Sequence, residues 1–359
     1  MRITADQALA WRLHRQFLSP RTAAPVTDIV QRLGGVQMQL ASAAQTAVTT
    51  RQQEPAPGEI ATGLANGTLI KTWAMRGTLH LCTPGSAAEI LSLVASARTW
   101  TKPSWQKTFG ATPDEIDRLA EAVAEMLDGT ALTREELVAG LLARPEFRGM
   151  AGELRSGWGT LLKPLAWQGV LCHGPLRDTS VTFTTPSSLV PGWAGLPAPD
   201  EAAPEVIATY LGAYGPATPD TFSQWLLRGA FRKSVVAGWF SDLGERITEV
   251  SVDGQKAFVL TEHADELAAT HPSHDVHLLG PFDAYVLGAT TRDTWMLPAE
   301  HRGRVSRTAG WIAPVVLSGG RVVGTWELEA GTVVTDFFPG GKSPSAKALA
   351  GEVARVTGA

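Results

Sequence analysis

The sequence predicts an α+β protein that is mainly helical, and two patterns along the chain predict it. One is an order of three amphipathic helical segments followed by two short apolar strands, which recurs three times in 359 residues. The other is a C-terminal stretch of short apolar runs, where Gly319-Gly320 separates two runs and indicates a tight hairpin. A chain of this length exceeds one compact core, so we expect several units.

The first two units both contain recognisable helix starts. Thr4 is the predicted N-cap of a helix that extends to about Phe17, and Thr133 with Glu136 forms a capping box that opens another helix. The other predicted elements of the first unit are helices over 25–34, 43–52 and 58–66 and paired strands over 69–73 and 77–81. Those of the second unit are helices over 113–127 and 151–168 and a hairpin of strands 170–172 and 180–184.

The third unit is expected to follow a proline-rich linker over 186–204. Its predicted elements are helices over 201–211, 218–227 and 231–240 and strands over 248–252 and 257–260 around Asp253-Gly254. After Thr270 we expect a small antiparallel sheet packed on the third unit. Its predicted elements are strands over 313–317, 321–327 and 332–338, followed by a terminal helix from about Ser345.

Three helices followed by a two-stranded hairpin form the winged-helix arrangement, in which the third helix and the wing usually contact nucleic acid. Generic helices and hairpins imitate one such unit, but three in series are hard to obtain by chance. We therefore predict three tandem winged helices over 1–100, 101–190 and 191–270, with a β-rich region over 271–359.

Composition narrows the possible classes of protein. The net charge of −4 argues weakly against nucleic acid, although one basic face suffices to bind DNA. Cys82 and Cys172 have no metal-ligand spacing and are expected to be buried thiols. His271, His274 and His277 recur without cysteine or carboxylate ligands, so we interpret them as loop residues. We expect no metal and no cofactor, and since no run is long enough to span a membrane, a cytoplasmic protein.

The most informative segment is 34–39, Gly-Gly-Val-Gln-Met-Gln. Two glycines end a helical pattern, and the following residues alternate between polar and apolar. In an extended segment Gln37 and Gln39 would point the same way, against an apolar backing of Val36, Met38 and Leu40. The pattern predicts two neutral amides converging on one point, although capping or a solvated turn is the commoner explanation of such a sequence.

Four runs of residues carry a family resemblance: 33–39 (LGGVQMQ), 73–80 (WAMRGTLH), 280–283 (GPFD) and 322–326 (VVGTW). With them the chain resembles the AlkZ/YcaQ-type winged-helix DNA glycosylases over essentially its whole length. The resemblance implies three winged helices around a concave DNA-binding surface, and excision of alkylated purines with unhooking of interstrand crosslinks. The catalytic motif is glutamine, an apolar residue and glutamine in the AlkZ branch, whereas the other branch ends in aspartate. Gln37-Met38-Gln39 therefore places this chain in the AlkZ branch.

The chemistry of the implied reaction suits two amides. An N7-alkylated guanine is already cationic and leaves without being protonated, so no strong general acid is required. A glutamine does not titrate, but its carbonyl oxygen accepts a hydrogen bond from water and orients the lone pair. The amide dipole also stabilises an oxocarbenium-like sugar. We assign these shared roles to Gln37 and Gln39, and expect a monofunctional enzyme because no amine nucleophile adjoins the motif.

Residues near the first predicted hairpin are candidates for contacting the lesion. Arg76 is expected to begin the second strand and meet a phosphate, with His80 near the lesion pocket. The alternative is that Arg76 forms a structural ion pair and that His80 is a partly buried histidine with its hydrogen bonds satisfied. Trp73 and Trp100 are candidates for stacking on bases, with the protein core as the alternative. Met38 packs behind the glutamines or lines the pocket.

Basic residues are candidates for a DNA backbone track, and solvated surface charges are the alternative. In the first two units they are Arg98, Lys102, Lys107, Arg148, Arg155 and Lys163. A further basic run in the tail, ahead of Trp311, is a candidate contact with DNA flanking the lesion. It comprises His301, Arg302, Arg304 and Arg307.

The predicted partner is double-stranded DNA carrying alkylated purines or crosslinks, and a monomer is expected because lesions lack two-fold symmetry. Two other functions stay open. One is a non-catalytic winged-helix regulator or damage binder, although helix 43–52 has only Arg51 as a charged residue and would read bases poorly. The other is a resistance protein that sequesters a toxin.

Overall fold

The computed structural model describes residues 1–157, 159–341 and 344–357. Most of its regular elements are helices, so the predicted mainly helical α+β class is confirmed. The helices are α1 (Ala5–Arg15), α2 (Val26–Arg32), α3 (Ala41–Thr49), α4 (Glu59–Ala65), α5 (Pro84–Ser96), α6 (Pro103–Phe109), α7 (Pro113–Leu127), α8 (Arg134–Ala143), α9 (Ala151–Arg155), α10 (Leu162–Trp167), α11 (Pro186–Leu189), α12 (Pro199–Tyr214), α13 (Pro219–Leu227), α14 (Lys233–Asp242), α15 (Ala264–Ala269), α16 (Ala284–Ala289), α17 (Arg302–Val305) and α18 (Ala346–Thr357).

The strands are short and lie between these helices. They are β1 (Arg2–Ile3), β2 (Val36–Gln37), β3 (Ile70–Trp73), β4 (Leu79–Cys82), β5 (Leu132–Thr133), β6 (Cys172–His173), β7 (Thr182–Thr184), β8 (Ile247–Val252), β9 (Gln255–Leu260), β10 (Val276–Leu279), β11 (Val315–Ser318), β12 (Arg321–Glu329) and β13 (Thr332–Phe337). The chain forms two compact units. One comprises Met1–Pro57, Ile207–Trp225 and Lys233–Ala359, and the other comprises Gly58–Val206 and Leu226–Arg232.

The unit that contains both chain ends has two sheets. In one, β8 pairs in parallel with β1 and antiparallel with β9; in the other, β10, β11, β12 and β13 are antiparallel neighbours. Leu9 and Leu13 of α1 share a buried core with Val315 of the second sheet. The Tyr210 hydroxyl of α12 donates to the Gly288 carbonyl at 3.2 Å. The C-terminal region therefore packs on the N-terminal helix as well as on α12.

The other unit is built on a small antiparallel sheet in which β4, β3, β6, β7 and β5 are neighbours in that order. On one face of this sheet, Ile70, Cys82 and Cys172 form a core with Ala87 of α5 and with Val190. Both cysteines are free, and burial raises the pKa of each thiol to about 12. The prediction of two buried thiols is therefore confirmed.

Local sequence signals located several elements correctly. Thr4 caps α1 and Thr133 caps α8, each through a full capping box. Helix α7 has the predicted bounds of 113–127. Gly319 and Gly320 both have positive φ, as a two-residue hairpin turn of this kind requires. The division of the chain into three winged helices at residues 100, 190 and 270 stays a prediction.

Some predicted elements were wrong in position. The helix expected over 151–168 is divided into α9 and α10, because the chain turns after Ser156 and Gly159 adopts a φ of +62°. The linker expected over 186–204 contains α11 and the start of α12, and Ser92 donates to the Pro197 carbonyl at 2.8 Å. His277 was expected in a loop, but it lies in β10 and is buried.

Candidate functional site

The glycine pair before the glutamine motif forms a defined helix stop. After α2 ends, Gly34 adopts a φ of +63° and its amide donates to the Gln31 carbonyl at 3.0 Å. The Gly35 amide donates to the Val30 carbonyl at 3.0 Å. These two bonds are the Schellman motif, which places glycine at the left-handed position. The direction in which the chain leaves α2 is therefore fixed by backbone hydrogen bonds.

Side chains of α12 and α13 pack against the same turn and also fix its position. A Cβ at Gly34 would lie 3.2 Å from Cγ2 of Thr209 and 3.3 Å from Cζ2 of Trp225, which is tighter than ordinary contact. The Tyr214 hydroxyl donates to the Leu33 carbonyl at 2.7 Å in a fully buried position. Glycine is thus required at position 34 both for its φ and for its size.

The glutamine motif itself is half buried. Val36 is fully buried, Gln37 and Met38 are each 7% exposed, and Gln39 is exposed. Leu40 is 40% exposed, so the expectation that it forms apolar backing with Val36 and Met38 was wrong. The strict alternation fails because β2 is only two residues long and the chain bends at Gln39 before entering α3. Gln39 therefore opens an exposed stretch that leads into the first turn of α3.

A buried ion pair that the sequence did not reveal lies just after helix α3 and is bound to it, because Nη1 of Arg51 donates to the Ala47 carbonyl at 2.6 Å. Arg51 and Asp283 are both fully buried and form two hydrogen bonds, of 2.8 and 2.9 Å. Asp283 also caps α16 by accepting from the Tyr285 amide at 2.8 Å. A Cβ at Gly280 would lie 2.7 Å from Cγ2 of Thr46 on α3. The run 280–283 thus supports the helix that follows Gln39.

Arg76 and His80 are in contact, but not as the strand neighbours that were expected. Arg76 lies in a turn before β4, with a φ of +57°, because the strand begins only at Leu79. His80 Nδ1 lies 2.9 Å from the Thr78 carbonyl, so Nδ1 carries the proton and Nε2 accepts from Arg76 at 3.2 Å. Burial lowers the pKa of His80 to about 3, and the positive charge of Arg76 contributes to the lowering. His80 is therefore neutral at physiological pH.

The two candidate tryptophans are buried. Trp73 is 5% exposed, stacks on Phe183 at 5.9 Å between ring centroids, and meets His173 edge-on at 5.2 Å. Trp100 is 2% exposed and lies 6.3 Å from Trp167. These placements favour the core alternative for both rings, because a ring that is already covered offers no face for a base.

The candidate track residues differ in exposure. Arg98, Lys102, Lys107, Arg148 and Arg155 are exposed. Lys163 is half-buried, and burial lowers its pKa, with a further lowering from Arg228. Exposure permits contact with a DNA backbone but does not test it, so the track stays a prediction.

The basic run of the tail is partly neutralised. Arg304 pairs with Asp336 on β13, and Arg307 pairs with a β12 carboxylate at 3.6 Å. Trp311 is 38% exposed and meets Phe282 edge-on at 5.0 Å between ring centroids. Because two of the arginines already have partners, Trp311 is the stronger candidate for an outside contact in this segment.

Neither a metal-binding cluster nor a membrane-spanning helix is present in the part of the chain that the structure describes. Within 1–157, 159–341 and 344–357, no group of three or more His, Cys, Asp or Glu side chains is arranged to hold a metal ion. In the same part of the chain, no helix combines the length and the apolar character needed to cross a membrane.

Comparisons with known proteins agree with this fold. The family model described as "DNA glycosylase AlkZ-like" matches residues 30–358. A Streptomyces sahachiroi protein named "Interstrand DNA cross-link repair glycosylase" is 51% identical over 357 residues, which are 99% of this chain and 96% of that protein. The solved structure of Streptomyces sahachiroi DNA glycosylase AlkZ matches with a TM-score of 0.97 and 51% identity, covering 100% of this chain and 98% of that one.

These matches define the class first: the protein is a DNA glycosylase, a hydrolase that acts on N-glycosyl bonds. More particularly, the chain belongs to the AlkZ-like DNA glycosylase family. The resemblance found in the sequence is thereby confirmed, and DNA is the substrate. The roles of individual residues stay predictions.

Proposed function

We propose that this glycosylase hydrolyses the N-glycosidic bond of cationic N7-alkylguanine in double-stranded DNA. The observation that supports the proposal best is the uncharged Gln37-Met38-Gln39 motif, which follows a glycine stop and precedes two exposed residues at the start of α3, Ala41 and Ser42. A cationic base is already a good leaving group, and this motif contains no acid to protonate a neutral one. The substrate and the motif are therefore chemically matched.

Gln37 and Gln39 differ in exposure, and the difference indicates which catalytic role suits each side chain. Gln37 is 7% exposed, so its amide is held by the surrounding protein and its dipole has a fixed direction. A fixed dipole stabilises developing positive charge on the sugar more than a mobile one does, because it needs no reorganisation. Gln39 is exposed and reaches solvent, which suits it to bind and orient the attacking water. We propose this division, with Met38 packing beneath the two amides.

The proposed substrates include bulky adducts and interstrand crosslinks. The Streptomyces sahachiroi relative, 51% identical over nearly the full chain, is named an interstrand crosslink repair glycosylase. A crosslinked base does not enter a deep, closed pocket, whereas the consecutive exposed residues from Gln39 to Ser42 form an open approach. This supports action on large lesions. We also propose a cytoplasmic monomer, consistent with lesions that lack two-fold symmetry.

The experiment is base release from a duplex that contains a single N7-methylguanine, followed by chromatography of the free base. The same enzyme is then given a duplex crosslinked between two N7 atoms of guanine, and strand separation is followed on a denaturing gel. We expect release in the first assay and separated strands in the second. An enzyme that binds the damaged duplex but frees no base would be a damage binder. One that binds an alkylating toxin but not DNA would be a sequestering protein.

A further inference from the structure

One face of the sheet in the unit formed by Gly58–Val206 and Leu226–Arg232 carries two cationic side chains beside a buried histidine. Lys71 on β3 is the register partner of His173 on β6, and His173 is the register partner of Phe183 on β7. Side chains of directly paired residues point to the same face. Lys71, His173 and Phe183 therefore lie side by side across three strands, opposite the face that contains the two cysteines.

Arg134 adds a second full charge to this face. Its guanidinium carbon lies 5.5 Å from the centre of the Phe183 ring, and its Nη1 donates to the Ser156 carbonyl at 2.9 Å. Arg134 is also the first residue of α8, where the helix dipole is positive and a cation is unfavourable. The arrangement therefore places positive charge where the helix itself disfavours it.

Among the described residues, no carboxylate balances these charges. No acidic group in that part of the chain forms an ion pair with Lys71, Arg134 or His173, and burial lowers the pKa of all three. Glu136, in the first turn of α8, is already bound to the Thr133 amide at 2.8 Å and to Arg177 at 2.6 Å. Lys71 and Arg134 are half-buried, so both lose hydration, and no ion pair in the described part of the chain compensates for that loss.

The same face contains an unsatisfied polar atom. Nε2 of His173 is buried without a hydrogen-bond partner, and the residue is 9% exposed between Trp73 and Phe183. A buried polar atom without a partner loses its hydration and gains no hydrogen bond in exchange. An anion oxygen beside Lys71 and Arg134 would accept a hydrogen bond from Nε2 of the neutral ring in the tautomer that carries its proton there. An anion would therefore both neutralise the two cations and give Nε2 of His173 a hydrogen-bond partner.

We propose that Lys71, Arg134 and His173 form a binding site for one phosphodiester group of the DNA backbone. This inference rests on the proposed action on double-stranded DNA and adds a contact that the sequence did not indicate. Arginine and lysine are the usual partners of backbone phosphates, and their role is to position the duplex, not to select a base. Because the two cations flank one histidine, they bind a single phosphate between them.

The test uses undamaged 20-base-pair duplex and the variants Lys71→Gln, Arg134→Gln and the double variant. Each removes positive charge and keeps a polar side chain. The matched control is Lys256→Gln, which removes an exposed charge from β9. Dissociation constants are measured across a salt series, because each phosphate contact contributes about −0.9 to the slope of log K against log salt.

We expect either single variant to weaken binding and to reduce the slope by about 1, and the double variant to lose about 1 and not 2. Lys256→Gln should keep the wild-type slope. An unchanged slope in the folded double variant would overturn the proposal. Base release by the wild-type enzyme is a separate measurement, so failure of the proposed function and failure of this site are told apart.

A second measurement does not depend on variants. Ring nitrogen resonances of His173 in the wild-type protein, assigned with His173→Gln, are followed on adding duplex or inorganic phosphate. Duplex should shift Nε2, and no shift would overturn the site. A shift with inorganic phosphate, combined with a normal salt slope in Lys71→Gln and Arg134→Gln, would mean that the cluster binds free anions and would also overturn the proposal.

Discussion

The buried ion pair of Arg51 and Asp283 next to α3 allows a quantitative prediction of the free energy of unfolding. Both side chains are 0% exposed and are joined by two hydrogen bonds. Replacing Arg51 by Met leaves a carboxylate in the interior without a counter-charge. Breaking a buried pair by removing one partner costs about 3–5 kcal/mol, a large share of the roughly 5–15 kcal/mol that stabilises a typical domain. Arg51→Met should therefore lower the free energy of unfolding by about 4 kcal/mol.

The companion change is Asp283→Asn, which removes the charge but keeps a carbonyl oxygen to cap the Tyr285 amide. Asp283→Asn alone leaves Arg51 buried and charged, and we expect a loss similar to that in Arg51→Met. In the double variant neither charge remains, so its loss should be at least about 2 kcal/mol smaller than the sum of the single losses.

Urea unfolding followed by circular dichroism measures all three variants. The control is the exposed pair of Lys256 and Glu249, where Lys256→Met should cost less than about 1 kcal/mol. Losses below about 1 kcal/mol in both Arg51→Met and Asp283→Asn, or strictly additive losses, would refute the argument that this pair anchors the helix after Gln39.

Two further predictions concern the glycine stop and the buried histidines. Gly34→Ala should lower the free energy of unfolding by about 2–4 kcal/mol, because of the positive φ and the close contacts with Thr209 and Trp225. The control Gly129→Ala has the same φ of +63° but open space around it, and should lower the free energy of unfolding by only about 1–2 kcal/mol. Equal losses in chemical unfolding would show that packing at position 34 is unimportant. The pKa of His173 is about 3 in the folded chain and near 6.5 when unfolded, so unfolding takes up a proton as the pH falls below about 6.5. The contribution of His173 to the free energy of unfolding should therefore fall by about 2 kcal/mol between pH 7.5 and 5. His173→Gln should remove this fall, whereas a substitution of the exposed His271 should leave it in place. Identical pH profiles for the two variants would contradict the argument that burial lowers the pKa of His173.

Local patterns predicted much of this fold. Capping boxes begin with Ser or Thr and end with Glu or Gln three residues later, so Thr4 and Thr133 are recognisable in the amino-acid sequence alone. The glycine pair that ends α2 is recognisable for a similar reason, because left-handed backbone favours glycine. In these cases the signal and the structure lie within a few residues of each other.

Features that depend on distant contacts were not predictable. The partner of Arg51 lies 232 residues away, so neither the run 280–283 nor the lone charge near α3 indicated the pair. The alternation around Gln37 predicted an extended segment that ends after two residues, because α3 starts at once. The left-handed turn at Arg76 had no local signal, since arginine rarely adopts that conformation.

We propose that the two amides of the glutamine motif act in the chemical step. This proposal is tested most directly by single-turnover release of N7-methylguanine with Gln37→Ala and Gln39→Ala, together with their affinities for the same duplex. The exposed Gln255→Ala is the matched control. Each motif variant should lose about 100-fold or more in rate while its dissociation constant changes only a few-fold, since oriented dipoles act mainly on the transition state. Wild-type rates in both motif variants would contradict the claim.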